Sequence, residues 1–391
     1  MSESRDLFSS DFCLAILGGG QLGKMMLYQT RQWDLRTKVM DASPEAPSRL
    51  ACNEFVIGDL MDYDAVMAFG KDADLLTIEI ENVNVEALED LQNKGVEVFP
   101  QPKALRIIQN KAQQKLFYTD NNIPTAPFSR FAYTSEIEDS LANGGLAFPF
   151  VWKSARFGYD GQGVKIVREA ADLEGLPNVE CIAESLIPFT HELAVIVSRN
   201  VQGEVKTYPV VEMEFHPEAN QVEYVLCPAR IPEELSQKAQ DIALKVSQGL
   251  GIVGLLAVEM FLTESGEILV NESAPRPHNS GHYSIEGSYT DQFEQHLRAI
   301  LGLPLGRTDS KVPAVMVNLV GAEGHTGDVR YEGLDEILAM PGVSPHIYGK
   351  RKTRPFRKMG HVTIADASLE EARATAARVK SVIRVHAKSN K

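Results

Sequence analysis

Glu259 and Glu272 are the residues whose type and spacing most directly suggest chemistry. They lie on two apolar runs, Leu255-Leu256-Ala257-Val258-Glu259-Met260-Phe261-Leu262 and Glu267-Ile268-Leu269-Val270-Asn271-Glu272. A two-residue turn at Ser265-Gly266 pairs Glu264 with Glu267 and, stepping back along both strands, Glu259 with Glu272. A three-residue loop with a bulge would move that register by one. Carboxylates opposed on a ladder repel unless a cation lies between them, and oxygen-only ligation suits Mg²⁺, which takes one or two carboxylates together with nucleotide phosphates. The flanking residues are apolar on both parities, as in a covered strand, so two solvated glutamates are the poorer reading. Directly afterwards, Ser273-Ala274-Pro275-Arg276-Pro277-His278-Asn279-Ser280-Gly281-His282 sets Arg276, His278 and His282 in a loop shaped by proline and glycine. Such a loop beside a metal-phosphate site is a setting for a second, anionic reactant.

Two glycine-rich stretches offer backbone N–H groups to phosphate. Val151-Trp152-Lys153 is a strand ending in a lysine, and Arg156-Phe157-Gly158-Tyr159-Asp160-Gly161-Gln162-Gly163-Val164 follows. Its glycines can close over phosphates while Lys153 supplies a point charge, although a plain hairpin with glycine turns explains the stretch equally well. Beyond it, Glu184-Ser185-Leu186-Ile187 presents an edge for a base and Glu192 an acid for ribose hydroxyls. The other stretch, Gly18-Gly19-Gly20-Gln21-Leu22-Gly23, follows the strand Leu14 to Leu17, and Asp41 lies 18 residues after Gly23. That spacing keeps a nicotinamide-dependent oxidoreductase as an alternative. The same turn also serves other phosphates, or only close helix–strand packing. Near the end, Lys350, Arg351, Lys352, Arg354, Arg357 and Lys358 are six cations within nine residues with no acid among them, an anion site or a solvated basic hairpin.

The elements that must position these groups fall into three parts. Over 1–110, the runs Phe12 to Leu17, Lys38 to Met40, Glu54 to Ile57, Leu75 to Glu79 and Val96 to Phe99 read as strands separated by helix-length connections, an α/β Rossmann-like domain with a parallel sheet. A helix is expected from Lys103 to about Asn121, ending before Ile123-Pro124. Over 111–305 the pattern becomes α+β, with β-runs such as Phe148 to Lys153, Cys181 to Glu184 and Glu192 to Val197 and helices at 233–250 and 290–301. Leu303-Pro304-Leu305-Gly306 reads as a linker to a small C-terminal domain, 306–391, which closes on an amphipathic helix from Leu369.

Composition excludes other classes. With 39 basic against 53 acidic side chains the net charge is −14, which argues against a nucleic-acid partner. No stretch approaches the roughly 20 uncharged residues of a membrane span, and Met1 to Ser10 lack an apolar signal run, so a cytoplasmic protein is expected. Cys13, Cys52, Cys181 and Cys227 show no metal or disulfide spacing and read as buried free thiols.

Together, Gly18 to Gly23, Glu79-Ile80-Glu81-Asn82-Val83, Phe157 to Gly163, Asn271 to His282 and Arg354-Pro355-Phe356-Arg357-Lys358-Met359-Gly360-His361 resemble the ATP-grasp superfamily, and within it the N5-carboxyaminoimidazole ribonucleotide synthetase family. The resemblance implies an ATP-grasp architecture of an N-terminal Rossmann-like domain, a central ATP-grasp domain and a small C-terminal domain. It also implies an ATP-dependent ligase that carboxylates 5-aminoimidazole ribonucleotide with bicarbonate through carboxyphosphate, in purine biosynthesis. A formate-using glycinamide ribonucleotide transformylase is the alternative within the superfamily. Carried over by position, Lys111, Lys153, Gly158, Tyr159, Asp160, Gly161, Gln162, Gly163, Val164, Glu184, Ser185, Leu186, Ile187, Glu192, His216, Asn271 and Glu272 resemble the ATP contacts. Glu259 and Glu272 resemble the ligands of Mg²⁺, of which two ions are expected. Gln21, Glu79, Tyr159, Asp160, Arg276, His278, His282, Lys350 and Arg357 resemble ribonucleotide or bicarbonate contacts, with Arg276, Lys153 and Asp160 closest to the chemistry. A homodimer, and a separate mutase acting on the product, are further expectations of the family.

Overall fold

In the computed structural model, which describes residues 6–156, 163–216 and 221–388, the strand Cys13–Leu17 is apolar and buried at every position. Burial on both parities requires cover on both faces. It is the central strand of a five-stranded parallel sheet ordered Glu54–Ile57, Arg36–Asp41, Cys13–Leu17, Leu75–Ile78, Glu97–Val98, so all five expected strands are present. Strand order reverses between Cys13–Leu17 and Leu75–Ile78. The carboxyl ends beside such a reversal form the crevice where open α/β sheets place their functional groups. Those two ends lead into Gly18 to Gly23 and into Glu79 to Glu81.

The single helix expected from Lys103 to Asn121 is two helices, Pro102–Ile108 and Lys111–Asp120. Asn110 leaves helical space, and its side chain accepts the Gln113 N–H at 3.1 Å, a cap of the kind that contributes about 1 kcal/mol. The break starts a fresh helix at Lys111 and places Lys115 one turn further along the same face.

A small antiparallel lobe follows, ordered Phe128–Phe131, Cys181–Ser185, Phe150–Ser154, Val164–Val167. Facing it is a long antiparallel sheet ordered Ile268–Ala274, Gly254–Thr263, Phe189–Arg199, Val211–Phe215, Val222–Cys227, Ala314–Val320, Lys358–Ala365, Val343–Ile347. The helix Glu233–Leu250 buries Ala239, Ile242, Ala243 and Val246 against this sheet, each larger side chain stabilising the fold by roughly 1.5–3 kcal/mol. It stops at Gly251, whose φ of 64° is a left-handed cap that glycine adopts without strain.

The long sheet continues past residue 306, because Val222–Cys227 pairs with Ala314–Val320. The helix Leu369–Val382 packs on that extension through Ala372, Ala376 and Val379. At the other end, Phe293, Leu297 and Ile300 of the helix Gln292–Ile300 share a core with Leu14 and Ile16 of the parallel sheet. Leu305, within the stretch expected to link two domains, is itself buried. Among the described residues no helix is long and apolar enough to cross a membrane. The four cysteines are free; Cys13, Cys181 and Cys227 are buried and Cys52 only partly so.

Candidate active site

Glu259 on Gly254–Thr263 faces Glu272 on Ile268–Ala274. The pairing arises by a different route from the two-residue turn. Leu262 faces Ile268 and Met260 faces Val270, the register of a three-residue loop at Glu264-Ser265-Gly266, and a β-bulge then leaves Asn271 outside the ladder and restores Glu259 to Glu272. The bulge also re-aims a side chain, since Asn271 Oδ1 accepts from Lys153 Nζ at 2.8 Å.

Three lysines gather beside this pair, one on Glu272 and two on Glu184. Lys153 Nζ lies 2.6 Å from Glu184 Oε2 and Lys115 Nζ 2.8 Å from Glu184 Oε1, while Lys111 forms an ion pair with Glu272. Lys115 also donates to Thr125 Oγ1 at 2.6 Å. Burial pushes the Glu184 carboxyl up, but Lys153 and Lys115 outweigh it and hold it below its ordinary range. Burial brings the Lys115 ammonium down to about 8, against the pull of Glu184. Lys111 acts chiefly on Glu272 and holds that carboxyl low, whereas burial and the facing Glu272 push Glu259 up. Lys111, Gln114, Lys115, Lys153, Glu184, Asn271 and Glu272 line one small cavity. A wider cavity at Arg36, Lys38, Met40 and Phe69 lies on the N-terminal sheet and shares none of these groups. Lys115 and Gln114 escaped the sequence reading. A lysine one turn after Lys111 was the available signal, and Gln114 Oε1, which accepts the Ser273 N–H at 3.0 Å, carried none.

The N-terminal glycine loop is occupied by its own chain. Gly19 N–H donates to Asp41 Oδ2 at 2.8 Å, Gly20 N–H to Glu79 Oε1 at 2.8 Å and Gly23 N–H to Glu79 Oε2 at 2.9 Å. The groups that a dinucleotide pyrophosphate needs are therefore satisfied by carboxylates, and Asp41 braces the loop where a ribose-binding acid was the alternative. The oxidoreductase reading fails on this point. Gln21 opens the following helix and is partly buried. From the same crevice Glu81, also unforeseen, reaches the central loop, with Arg276 Nε 2.9 Å from Glu81 Oε2.

His278 stands with Nε2 3.5 Å from Glu259 Oε1 and Nδ1 2.9 Å from Ser280 Oγ. His282 does not join it. It is 1% exposed, stacked on His361 at 4.6 Å between ring centroids, and burial lowers its imidazole well below the ordinary range. The expectation that His282 touches substrate is thus corrected to a packing role.

Between the two sheets, Ser185 and Leu186 are exposed and Ile187 partly so, and Glu192 lies half-buried on Phe189–Arg199. His216, just past Val211–Phe215, meets Phe356 edge-on at 6.1 Å. Lys153 pairs with Val164 across a hairpin, and Gly163 C=O accepts the Ser154 N–H at 2.9 Å. Gly158, Tyr159, Asp160, Gly161 and Gln162 lie outside the described residues. In the basic run, Lys350 Nζ donates to Lys358 C=O at 2.8 Å, Arg357 donates to Lys352 C=O, and burial followed by Arg354 lowers the Arg357 guanidinium. Arg351 turns away to Glu45 at 3.1 Å, so the six cations do not act as one patch.

Comparison with known proteins follows the same division of the chain. A ribonucleotide synthetase preATP-grasp domain matches residues 13–109, an ATP-grasp domain 116–293 and a phosphoribosylaminoimidazole carboxylase C-terminal domain 314–375. The chain is 39% identical over 365 residues to the N5-carboxyaminoimidazole ribonucleotide synthase of Bacillus subtilis, covering 92% of this chain and 93% of that protein. The crystal structure of the N5-carboxyaminoimidazole ribonucleotide synthetase from Thermotoga maritima superposes with a TM-score of 0.88 at 41% identity, over 96% of this chain and 100% of that one. The Aspergillus clavatus N5-carboxyaminoimidazole synthase, solved with ADP and 5-aminoimidazole ribonucleotide, gives 0.86 at 32% identity, over 95% and 98%. Against the fungal phosphoribosylaminoimidazole carboxylases of Candida albicans and Saccharomyces cerevisiae the chain spans just under two thirds of their length.

Proposed function

The chain belongs to the N5-carboxyaminoimidazole ribonucleotide synthetase family of ATP-grasp ligases, which carboxylate 5-aminoimidazole ribonucleotide at the expense of ATP in purine biosynthesis, and from that premise we propose that bicarbonate is its carboxyl donor, activated as carboxyphosphate. The observation that most supports this reading is that Lys111 pairs with Glu272, which faces Glu259, while Lys153 bonds the adjacent Asn271.

Bicarbonate is a poor electrophile because hydroxide leaves badly. Attack of its oxygen on the γ-phosphorus breaks the bond to the bridging oxygen, releases ADP and turns that oxygen into part of a phosphate leaving group. The ribonucleotide amine then forms a C–N bond to the carboxyl carbon as the C–O bond to phosphate breaks. Phosphate leaves with the electron pair, and the proton lost by the amine can pass to it. Lys153, released from Glu184, and Lys111, released from Glu272, are placed to hold phosphoryl oxygens as charge builds on them. Lys115 then keeps Glu184 ionised. Arg276, aimed by Glu81, is suited to a bicarbonate or carboxyphosphate oxygen. The opposed carboxylates, Glu259 pushed up by its burial and by the facing Glu272, fit magnesium, and the two would hold two ions that neutralise the transferring phosphates. Ser185 to Ile187 and Glu192 would take adenine and ribose, with His216 beside them. Asp160 and Tyr159 would meet the ribonucleotide and Lys350 and Arg357 its 5′-phosphate. A homodimer in the cytoplasm, handing its carbamate product to a separate mutase, completes the proposal.

The decisive experiment is an ADP-release assay in which each substrate is omitted in turn. Release is expected only with the ribonucleotide and bicarbonate both present. Indifference to the ribonucleotide, or equal rates with formate, would overturn the reading.

Two further results are expected. Burial pushes the Glu192 carboxyl up to about 7, with Lys153 opposing and Glu272 adding to the rise. A carboxylate accepts ribose hydroxyls better than the neutral acid, so the KM for ATP should fall as pH rises through about 7, and Glu192→Gln should flatten that step. Persistence of the step in the variant would assign it to another group. Arg357→Ala should raise the KM for the ribonucleotide roughly ten- to a hundred-fold, the loss of one charge-assisted contact, with that for ATP nearly unchanged. Equal effects on both would move the phosphate site elsewhere.

A further inference from the structure

Gln292 opens the helix Gln292–Ile300 and is fully buried, far from any role in solvation. Its side-chain amide reaches back to a single residue of the central loop. Oε1 accepts the His278 N–H at 2.8 Å, and Nε2 donates to the His278 C=O at 2.8 Å. The loop has left the sheet at Ala274, and the His278 C=O also accepts the Gly281 N–H at 3.0 Å, so the amide reinforces a turn that closes there. Its second N–H faces His282 Nδ1 at 2.8 Å, which makes that nitrogen the acceptor.

The amide is held in turn. A Cβ on Gly281 would lie 2.4 Å from Gln292 Oε1, so the missing side chain at Gly281 keeps the space it fills. Ser284 Oγ accepts the Gln292 N–H at 3.0 Å, and the preceding Asp291 accepts from Gln29 of the N-terminal domain at 2.8 Å. On the far side of the loop, Asn279 and Asn318 exchange two amide bonds of 2.9 Å each. His278, which faces Glu259, is therefore fixed through its backbone by a residue that touches neither the lysines nor the carboxylate pair.

We propose that Gln292 is a positioning residue that couples carboxyphosphate formation to carboxyl transfer, by holding His278 and the loop around it closed over the reacting carboxyl group. The inference rests on the function proposed above. With the loop in place, the amine attacks the carboxyl carbon. With the loop slack, a water oxygen attacks the same carbon, the C–O bond to phosphate breaks, and bicarbonate and phosphate are returned with ATP consumed and no carbamate formed.

The test measures ADP release and ribonucleotide carboxylation side by side in the full-length wild type, Gln292→Met and Gln292→Glu. Gln292→Met loses all three side-chain bonds at similar volume. Gln292→Glu keeps the size and the acceptor and loses at least one donor, so it decides the matter alone if the methionine variant does not fold. The wild type is expected to release one ADP per carbamate. Both variants should release ADP in excess, with carboxylation down roughly ten- to a hundred-fold in Gln292→Met, as for a small misplacement of reacting groups, and the KM for ATP unchanged. A one-to-one ratio kept in both variants, with both rates falling together, would reduce Gln292 to a structural residue. Absence of ribonucleotide-dependent ADP release from the wild type would overturn the proposed function, and this inference with it.

Discussion

Glu272→Gln is expected to lower the rate of ADP release by about 10³-fold or more while leaving the fold intact, because electrostatic stabilisation of a transferring phosphoryl group is the largest single contribution in such reactions. On the proposed function, two contributions of Glu272 depend on its charge. With Glu259, which it faces across the ladder, it would hold a divalent cation, and it holds Lys111 at the cavity. Glutamine keeps the volume and an acceptor but supplies no charge to a divalent cation. The fold should survive with a modest loss of stability, because the Glu272 side chain is 41% exposed and that of Lys111 is 16% exposed, which leaves the ion pair partly open to water. The checks are ADP release at saturating ATP and a thermal melt on the same preparation. A rate within about tenfold of wild type would remove Glu272 from the metal site.

Glu184→Gln should act in the opposite way, mainly on stability. The side chains of Glu184 and Lys115 are each 3% exposed and that of Lys153 is 9% exposed, so one carboxylate is shared by two ammonium groups almost without water. Removing the charge leaves both lysines uncompensated, a loss of about 3–5 kcal/mol measurable as a lowered midpoint in urea. The pH dependence has a definite sign. The folded carboxyl lies below its ordinary range despite its burial, held there by Lys153 and Lys115. Its contribution is therefore fully present above the unfolded value of about 4.3 and is lost as pH falls through the lower folded value. The variant should lack that acid-side loss. A shift smaller than about 1 kcal/mol would mean that water reaches the cluster and screens it.

The route to the central pair separates what was legible from what was not. Two apolar runs and an assumed two-residue turn placed Glu259 opposite Glu272. Yet the loop has three residues, and the bulge at Asn271 makes up the difference, so two deviations cancel. Neither is written in local propensity. The break at Asn110 is a similar case, since a capping asparagine inside a helical pattern reads as an ordinary helix residue until its side chain is seen to turn onto the Gln113 N–H.

The glycine hexad shows the limit from the other side. Its spacing correctly marked a tight turn between strand and helix, but spacing cannot say what the exposed N–H groups bond to. Asp41 and Glu79 arrive from 22 and 59 residues or fewer away in sequence to fill them. The basic run likewise resolves into separate partners once Arg351 finds Glu45 and Lys350 finds Lys358.

By itself, the sequence determined the order of the three parts, the family, and the residue types proposed to meet phosphate, because these depend on local periodicity and on motifs contiguous along the chain. Only the tertiary structure decided which of those residues meet. Lys115 and Glu184, Arg276 and Glu81, and the burial of His282 depend on strands and helices that are distant in sequence, and even Gln292 and His278, 14 residues apart, meet only once the intervening loop has turned back. The physical reason is range. Periodicity and capping act within a few residues, whereas desolvation and charge pairing act through space, and they act only after the sheet, the small lobe and the C-terminal extension have closed around the cleft.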